Sequence, residues 1–135
     1  KTNELFAAAG DALESSGIRG LEEEMIFIIE HVFNTLTANK ALLNFISKNL
    51  VMGALRSTLL TGENSDSDIY EKFLMLVEKD EHKYNDVDVM LFTIVELAGS
   101  AGYNSILYGE PLPIEEYKPF LYRSVRLIVK SHRTG

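Results

Sequence analysis

At 135 residues the chain has the size of one domain and is long enough to bury roughly two-thirds of its unfolded surface without a disulfide or metal staple. Its 46% hydrophobic and 24% charged residues, with only 9 Gly and 3 Pro, exclude a disordered, low-complexity or collagenous chain. The absence of cysteine excludes a disulfide framework, a thiolate metal site and a cysteine nucleophile. A net charge of −7 repels phosphate backbones and argues against nucleic-acid binding by these residues themselves.

Lys1 is followed by polar Thr2, Asn3 and Glu4, so the start lacks the sections of a signal peptide and a cytoplasmic protein is expected. Six segments carry a helical period, and no apolar/polar alternation of four or more residues competes with them. The fold class is therefore all-α, an antiparallel bundle of about six helices in a single domain.

The first helix, about 3–15, places Leu5, Ala9 and Leu13 on a narrow apolar face behind a Thr2/Asn3 cap and stops at Ser15-Ser16-Gly17. The second, about 20–36, aligns Leu21, Met25, Ile28, Ile29, Val32, Phe33 and Leu36. Its Glu22, Glu23 and Glu24 suit the positive end of the helix dipole. The third, about 38–60, is apolar around most of its circumference, which places it centrally. Thr61 to Asp66 reads as a loop, and a fourth helix over about 67–81 turns Ile69, Phe73, Leu76 and Val77 inward. The fifth, about 86–108, carries a single charge, Glu96, between Val89 and Tyr108, so it should be covered on all sides. Gly109-Glu110-Pro111-Leu112-Pro113 forms a proline corner before the sixth helix, about 114–131, in which Pro119 falls near the start. The longest tight apolar clusters, Met25 to Ile29 and Val89 to Val95, fall well short of the ~18 residues that cross a bilayer, so no membrane span is expected.

Catalytic patterns are absent: there is no Gly-x-Ser-x-Gly, no phosphate-binding glycine loop and no His-Glu-x-x-His, which argues against an enzyme. Gly99 to Gly102 is too short and too helical to cradle phosphates. His82 lies among Asp80, Glu81, Asp86 and Asp88, but a solvated acidic turn is the stronger reading, and neither a metal nor a cofactor is expected.

Two constellations carry the functional reading. On the fifth helix, Ala98, Ala101, Gly102 and Ser105 form a small-residue side suited to close helix pairing. On the sixth, Leu121, Val125 and Ile128 belong to an apolar stripe, with Phe120 and Leu127 lying well outside it. Two helices with more apolar surface than one core absorbs point to a homodimer through these residues. On the opposite side of the fifth helix, Glu96, Ser100 and Tyr103 form a polar stripe. Phe45, Asn49, Met52 and Arg56 share one side of the third helix. Facing each other, the two would line an apolar pocket in which Glu96 either pairs with Arg56 or contacts ligand. Phe27 and His31, at i and i+4 on a flank of the second helix, are added to the lining.

The stretch Leu91 to His132, above all Asn104-Ser-Ile-Leu-Tyr-Gly-Glu-Pro-Leu-Pro followed by Glu116-Tyr-Lys-Pro-Phe-Leu-Tyr-Arg, resembles the C-terminal half of TetR-family transcriptional regulators. Lys1-Thr2-Asn3-Glu4-Leu5-Phe6 looks like the hand-over from that family's DNA-binding head to its linking helix. The resemblance implies an effector-binding and dimerisation domain whose helix-turn-helix head, roughly 50 residues, is missing here. It also implies a small hydrophobic effector and contact with DNA only through that head. A stand-alone helical-bundle interaction module is the rival reading.

Overall fold

The computed structural model describes residues 2–49 and 67–134, with the side chains at 2–6, 45–49 and 67–69 left aside. Six α-helices account for these residues: α1 (Thr2–Ser16), α2 (Leu21–Ala38), α3 (Lys40–Asn49), α4 (Ser67–Lys79), α5 (Val87–Tyr108) and α6 (Ile114–Ser131). The all-helical class and the helix positions follow the sequence reading to within two residues at the described ends. The remainder of the expected third helix and the Thr61–Asp66 loop lie outside the described residues.

α2 is the central element, packed against α1, α3, α4, α5 and α6. Its period sets this arrangement: Leu21, Met25, Ile29, Phe33 and Leu36 are buried along one face, and Ile26 is buried beside them. Phe73 of α4, Met90, Leu91 and Ile94 of α5, and Leu121, Val125 and Val129 of α6 complete the main core. Leu36 of α2 and Leu43 of α3 start a smaller cluster that Tyr103, Ile106 and Leu107 join.

The small-residue side of α5 faces this core and is not a free seam. Ala98, Gly102 and Ser105 are buried. A Cβ placed on Gly102 would lie 2.5 Å from the Phe33 ring, so only glycine lets α5 approach α2 here. Ser105 donates its hydroxyl to the Leu112 carbonyl at 2.6 Å, tying α5 to the proline corner, which contains a cis Glu110–Pro111 bond. Leu121 and Val125 are likewise buried in the chain's own core, while Ala101 and Ile128 are half-buried. The expectation that Ala98, Gly102, Ser105, Leu121 and Val125 pair with a second copy is therefore corrected: α2 supplies the close neighbour they were suited to.

One further expectation changes within the single chain. α5 is not covered on all sides, because Val89 is 56% and Phe92 38% exposed, and α6 exposes Phe120 at 48% and Leu127 at 59%. α5 also has the length and composition to cross a membrane, with a mean hydropathy of 1.2 over 18 residues, of which 33% are buried within the chain. Uncharged Thr, Gly, Ser and Ala interrupt its apolar runs without adding charge, which is why no long run is visible in the sequence. Pro119 is the sixth residue of α6, beyond the four unpaired N–H groups of a helix start, and so removes one internal bond from a helix that continues unbroken.

The chain's ends of α5 and α6 are stapled together. Asn85 N–H donates to the His132 carbonyl at 2.7 Å, Thr134 N–H to the Lys83 carbonyl at 2.9 Å, and His132 Nδ1 meets the Asn85 carbonyl at 2.9 Å.

Candidate functional site

A cleft of about 1490 Å³ lies between α1, α2, α4 and α5, with Leu43 of α3 at one end. Its floor follows from the same periodicity that builds the core. Met25, Ile29, Phe33 and Leu36 present their cleft-side atoms, and Ile28 and Val32, one step around α2, widen the apolar surface. Leu13 of α1, Phe73 and Leu76 of α4, and Leu91, Ile94 and Ala98 of α5 make the facing walls. Gly99 has nothing within 4 Å of where a side chain would begin, so the α5 wall is open at that point.

Three expected lining residues are brought together here: Glu96, Ser100 and Tyr103 all line the cleft. Tyr103 is held by an edge-to-face contact with Tyr108, ring centroids 6.2 Å apart. Glu96, however, is exposed at the rim, so the premise that it is a buried carboxylate needing a partner is overturned. The spacing that put it beside Ser100 also puts it on the outer edge of α5. Of the third-helix set, the side chains of Phe45 and Asn49 and the whole of Met52 and Arg56 lie outside the described residues. Phe27 and His31 are half-buried and line no part of the cleft. At i+4 and i+8 from Glu23 they share the side of α2 that is turned to α6.

That side is a ladder of matched charges. Arg133 and Lys130 meet Glu22, the latter at 3.9 Å, and Arg126 grips Glu23 through two bonds of 2.9 and 3.2 Å. Lys118, buried beside α2, donates to Glu115 at 2.8 Å, Glu30 at 3.1 Å and Asn34 at 3.2 Å, and Tyr122 donates to Glu30. Burial alone would push the Glu30 carboxyl up, but these donors hold it below the usual carboxylate range. Burial likewise pulls Lys118 down, and its two carboxylates more than offset this.

The end of the cleft is organised by Asp80. Its carboxylate accepts the Leu21 N–H at 2.8 Å, the His82 N–H at 3.0 Å and the Tyr84 hydroxyl at 2.8 Å. A side chain from beyond α4 thus caps α2, whose own preceding residue, Gly20, has no side chain to do so. Burial raises the Asp80 carboxyl and these bonds return it below its ordinary value. Of the acidic cluster, Asp80 and Glu81 stay within 3.4 and 4.0 Å of His82 Nδ1 while Asp80 also caps α2, and Asp88 instead accepts a bond from Tyr70, whose phenol burial and that carboxylate push up to about 12.

Sequence reasoning missed Glu24. Treated as one of three glutamates at a helix start, it is instead only 4% exposed and lines the cleft. The signal was present: Glu24 is three residues after Leu21 and four before Ile28, so it interrupts the apolar stripe of α2. Among the described residues its carboxylate makes no hydrogen bond or ion pair. Desolvation raises its pKa, opposed by the charge of Lys79 and assisted by that of Asp80.

No protein-family model, no curated protein and no solved structure matches this chain.

Proposed function

We propose that the chain is the effector-binding and dimerising part of a TetR-like transcriptional regulator, with no catalytic role. The observation that carries the reading is the cleft itself. It is a large space bounded by helices, mostly apolar in its floor and walls, with charged side chains along it, and a concave, largely apolar space is the usual setting of a small-molecule site. Its placement supports the same reading, because α1 packs against both α2 and α4 along the cleft wall. In this reading α1 is the linking helix to a DNA-binding head. A small hydrophobic effector that favours one arrangement of α1 relative to α2 would bias the spacing of two such heads, and effector and operator binding would be reciprocally coupled.

Dimerisation belongs to the outer faces of α5 and α6. Val89 and Phe92 near the start of α5 and Leu127 near the end of α6 are exposed, and the antiparallel pairing held by the Asn85–His132 staple puts these ends side by side. Phe120, under the Arg123 guanidinium at 5.6 Å, extends the surface toward the other end. The same exposed residues would serve an interaction module binding a different protein.

A thermal-shift screen against hydrophobic metabolites and light scattering at tens of micromolar test the proposal together. Saturable stabilisation by an apolar compound and a mass of two chains are expected. A one-chain mass that persists with every ligand would favour the interaction module. The isolated chain should show no salt-sensitive submicromolar binding in a gel shift, since its charge of −7 opposes it.

A further inference from the structure

We propose that the cleft recognises a lipophilic cation, an apolar body carrying one ammonium-type charge, with Glu24 as the counter-ion that receives it. This rests on the cleft being a ligand site, as read above, and adds the chemistry of its occupant.

Three polar or charged residues are buried among the described residues: Glu24, Ser105 and Lys118. Ser105 bonds the Leu112 carbonyl, and Lys118 is surrounded by two carboxylates and an amide. Glu24 alone has no bonded partner, and it faces a cavity. A buried carboxylate that accepts no hydrogen bond is costly to keep ionised, and Lys79 offsets this only as a neighbouring charge that Asp80 opposes, so a group that supplies both a donor and a positive charge gains the most at this position.

The surroundings favour a cation over the alternatives. Among the described charged side chains along the cleft, the acids Asp11, Glu14, Glu78, Asp80, Glu81 and Glu96 outnumber Arg19, Lys72 and Lys79. An anionic ligand would meet Glu24 against this field. A divalent metal is not accommodated, because among the described residues no group of three His, Cys, Asp or Glu side chains is placed to hold one, and hard cations need several oxygen ligands. A neutral alcohol could donate one bond but brings no positive charge of its own to the carboxylate. The apolar floor formed by Met25, Ile28 and Ile29 beside Glu24 then receives the hydrocarbon part.

Calorimetric titration of the chain with decylammonium, decanol and decanoate, below their aggregation concentrations, separates these possibilities because the three share one tail. Decylammonium should bind about tenfold or more tighter than decanol, the gain of one charge-assisted bond, with decanoate the weakest. Glu24→Gln should bring decylammonium to the level of decanol while leaving decanol unchanged, and Glu96→Gln at the rim should keep most of the preference. If Glu24→Gln loses its helical circular-dichroism signal, Glu24→Met gives the same comparison. Equal binding of decylammonium and decanol, or a preference that survives the loss of Glu24, overturns the cation inference and leaves the ligand-site reading standing. No saturable binding by any of the three overturns both.

Discussion

The side of α2 that meets α6 and the side that meets the cleft start from the same residue type and end differently. Against α6, Glu22, Glu23 and Glu30 each reach a basic partner, and Lys118 is enclosed by acceptors although it is itself buried. In the cleft, Glu24 is as deeply buried as Lys118 and, among the described residues, makes no hydrogen bond or ion pair, with Lys79 acting on it only as a neighbouring charge. One turn of one helix therefore carries both a charge used to hold the fold and a charge that the fold would be better without. Pairing shows which contacts specify the packing of α2 on α6, and its absence at Glu24 is the feature on which the proposed ligand chemistry rests.

The contrast can be broken most forcefully at Lys118. Lys118→Ala removes the one cation that, among the described residues, contacts Glu30 and Glu115, and should lower stability by about 1.5–3 kcal/mol, the range for hydrogen bonds to charged groups, in chemical denaturation. At Gly102→Ala, where a Cβ meets the Phe33 ring, one added methyl should cost about 1–3 kcal/mol, because α5 and α2 cannot both keep their places. Glu24→Gln should act in the opposite direction, leaving stability unchanged or raising it by about 1 kcal/mol, since it relieves a desolvated carboxylate that accepts no hydrogen bond among the described residues. A loss as large as that at Lys118 would show Glu24 to be structural and erase the comparison.

Titration gives a finer test. Glu23, Glu30 and Asp80 are held below their ordinary values, so the stability they contribute is present above the ordinary carboxylate range and is lost as pH falls through their lowered values. Glu24 is raised, so its contribution is full when it is protonated and is lost as pH rises from its ordinary 4.5 through the raised value, with Lys79 and Asp80 as the neighbouring charges. The stability of Glu24→Gln, followed by urea denaturation across this window, should lack the decline above pH 4.5. Arg126→Ala, at a half-exposed pair, should cost the least, about 0.2–1 kcal/mol, and should fade further in high salt.

Period-3.6 patterning made the helices legible, since Leu21, Met25, Ile29, Phe33 and Leu36 could bury a common face in no other regular structure. The partner of each face was less legible. Gly102 and Ala98 announce a close approach equally well to α2 or to a second copy, and only the Phe33 ring decides which. Glu96, Ser100 and Tyr103 were placed together by spacing, but spacing alone does not distinguish the floor of a cleft from its rim. Asp80 could not be read as the cap of α2, because its bond to Leu21 spans 59 positions and leaves no local mark. Glu24 was hidden by its company: three consecutive glutamates suggest one helix-start role, while their 100° spacing around the axis sends only one of them into the cleft.

The staple between residues 83–85 and 132–134 gives the last two helices a property that the rest of the chain does not share. Backbone bonds at Asn85 and Thr134 close α5, the proline corner and α6 into a ring fastened at its open end, so neither helix can fray alone from that end. Amide hydrogen exchange should find Asn85 and Thr134 protected together with the interior of α6. Amides just beyond a helix end normally exchange early, but these should exchange only when the whole pair opens.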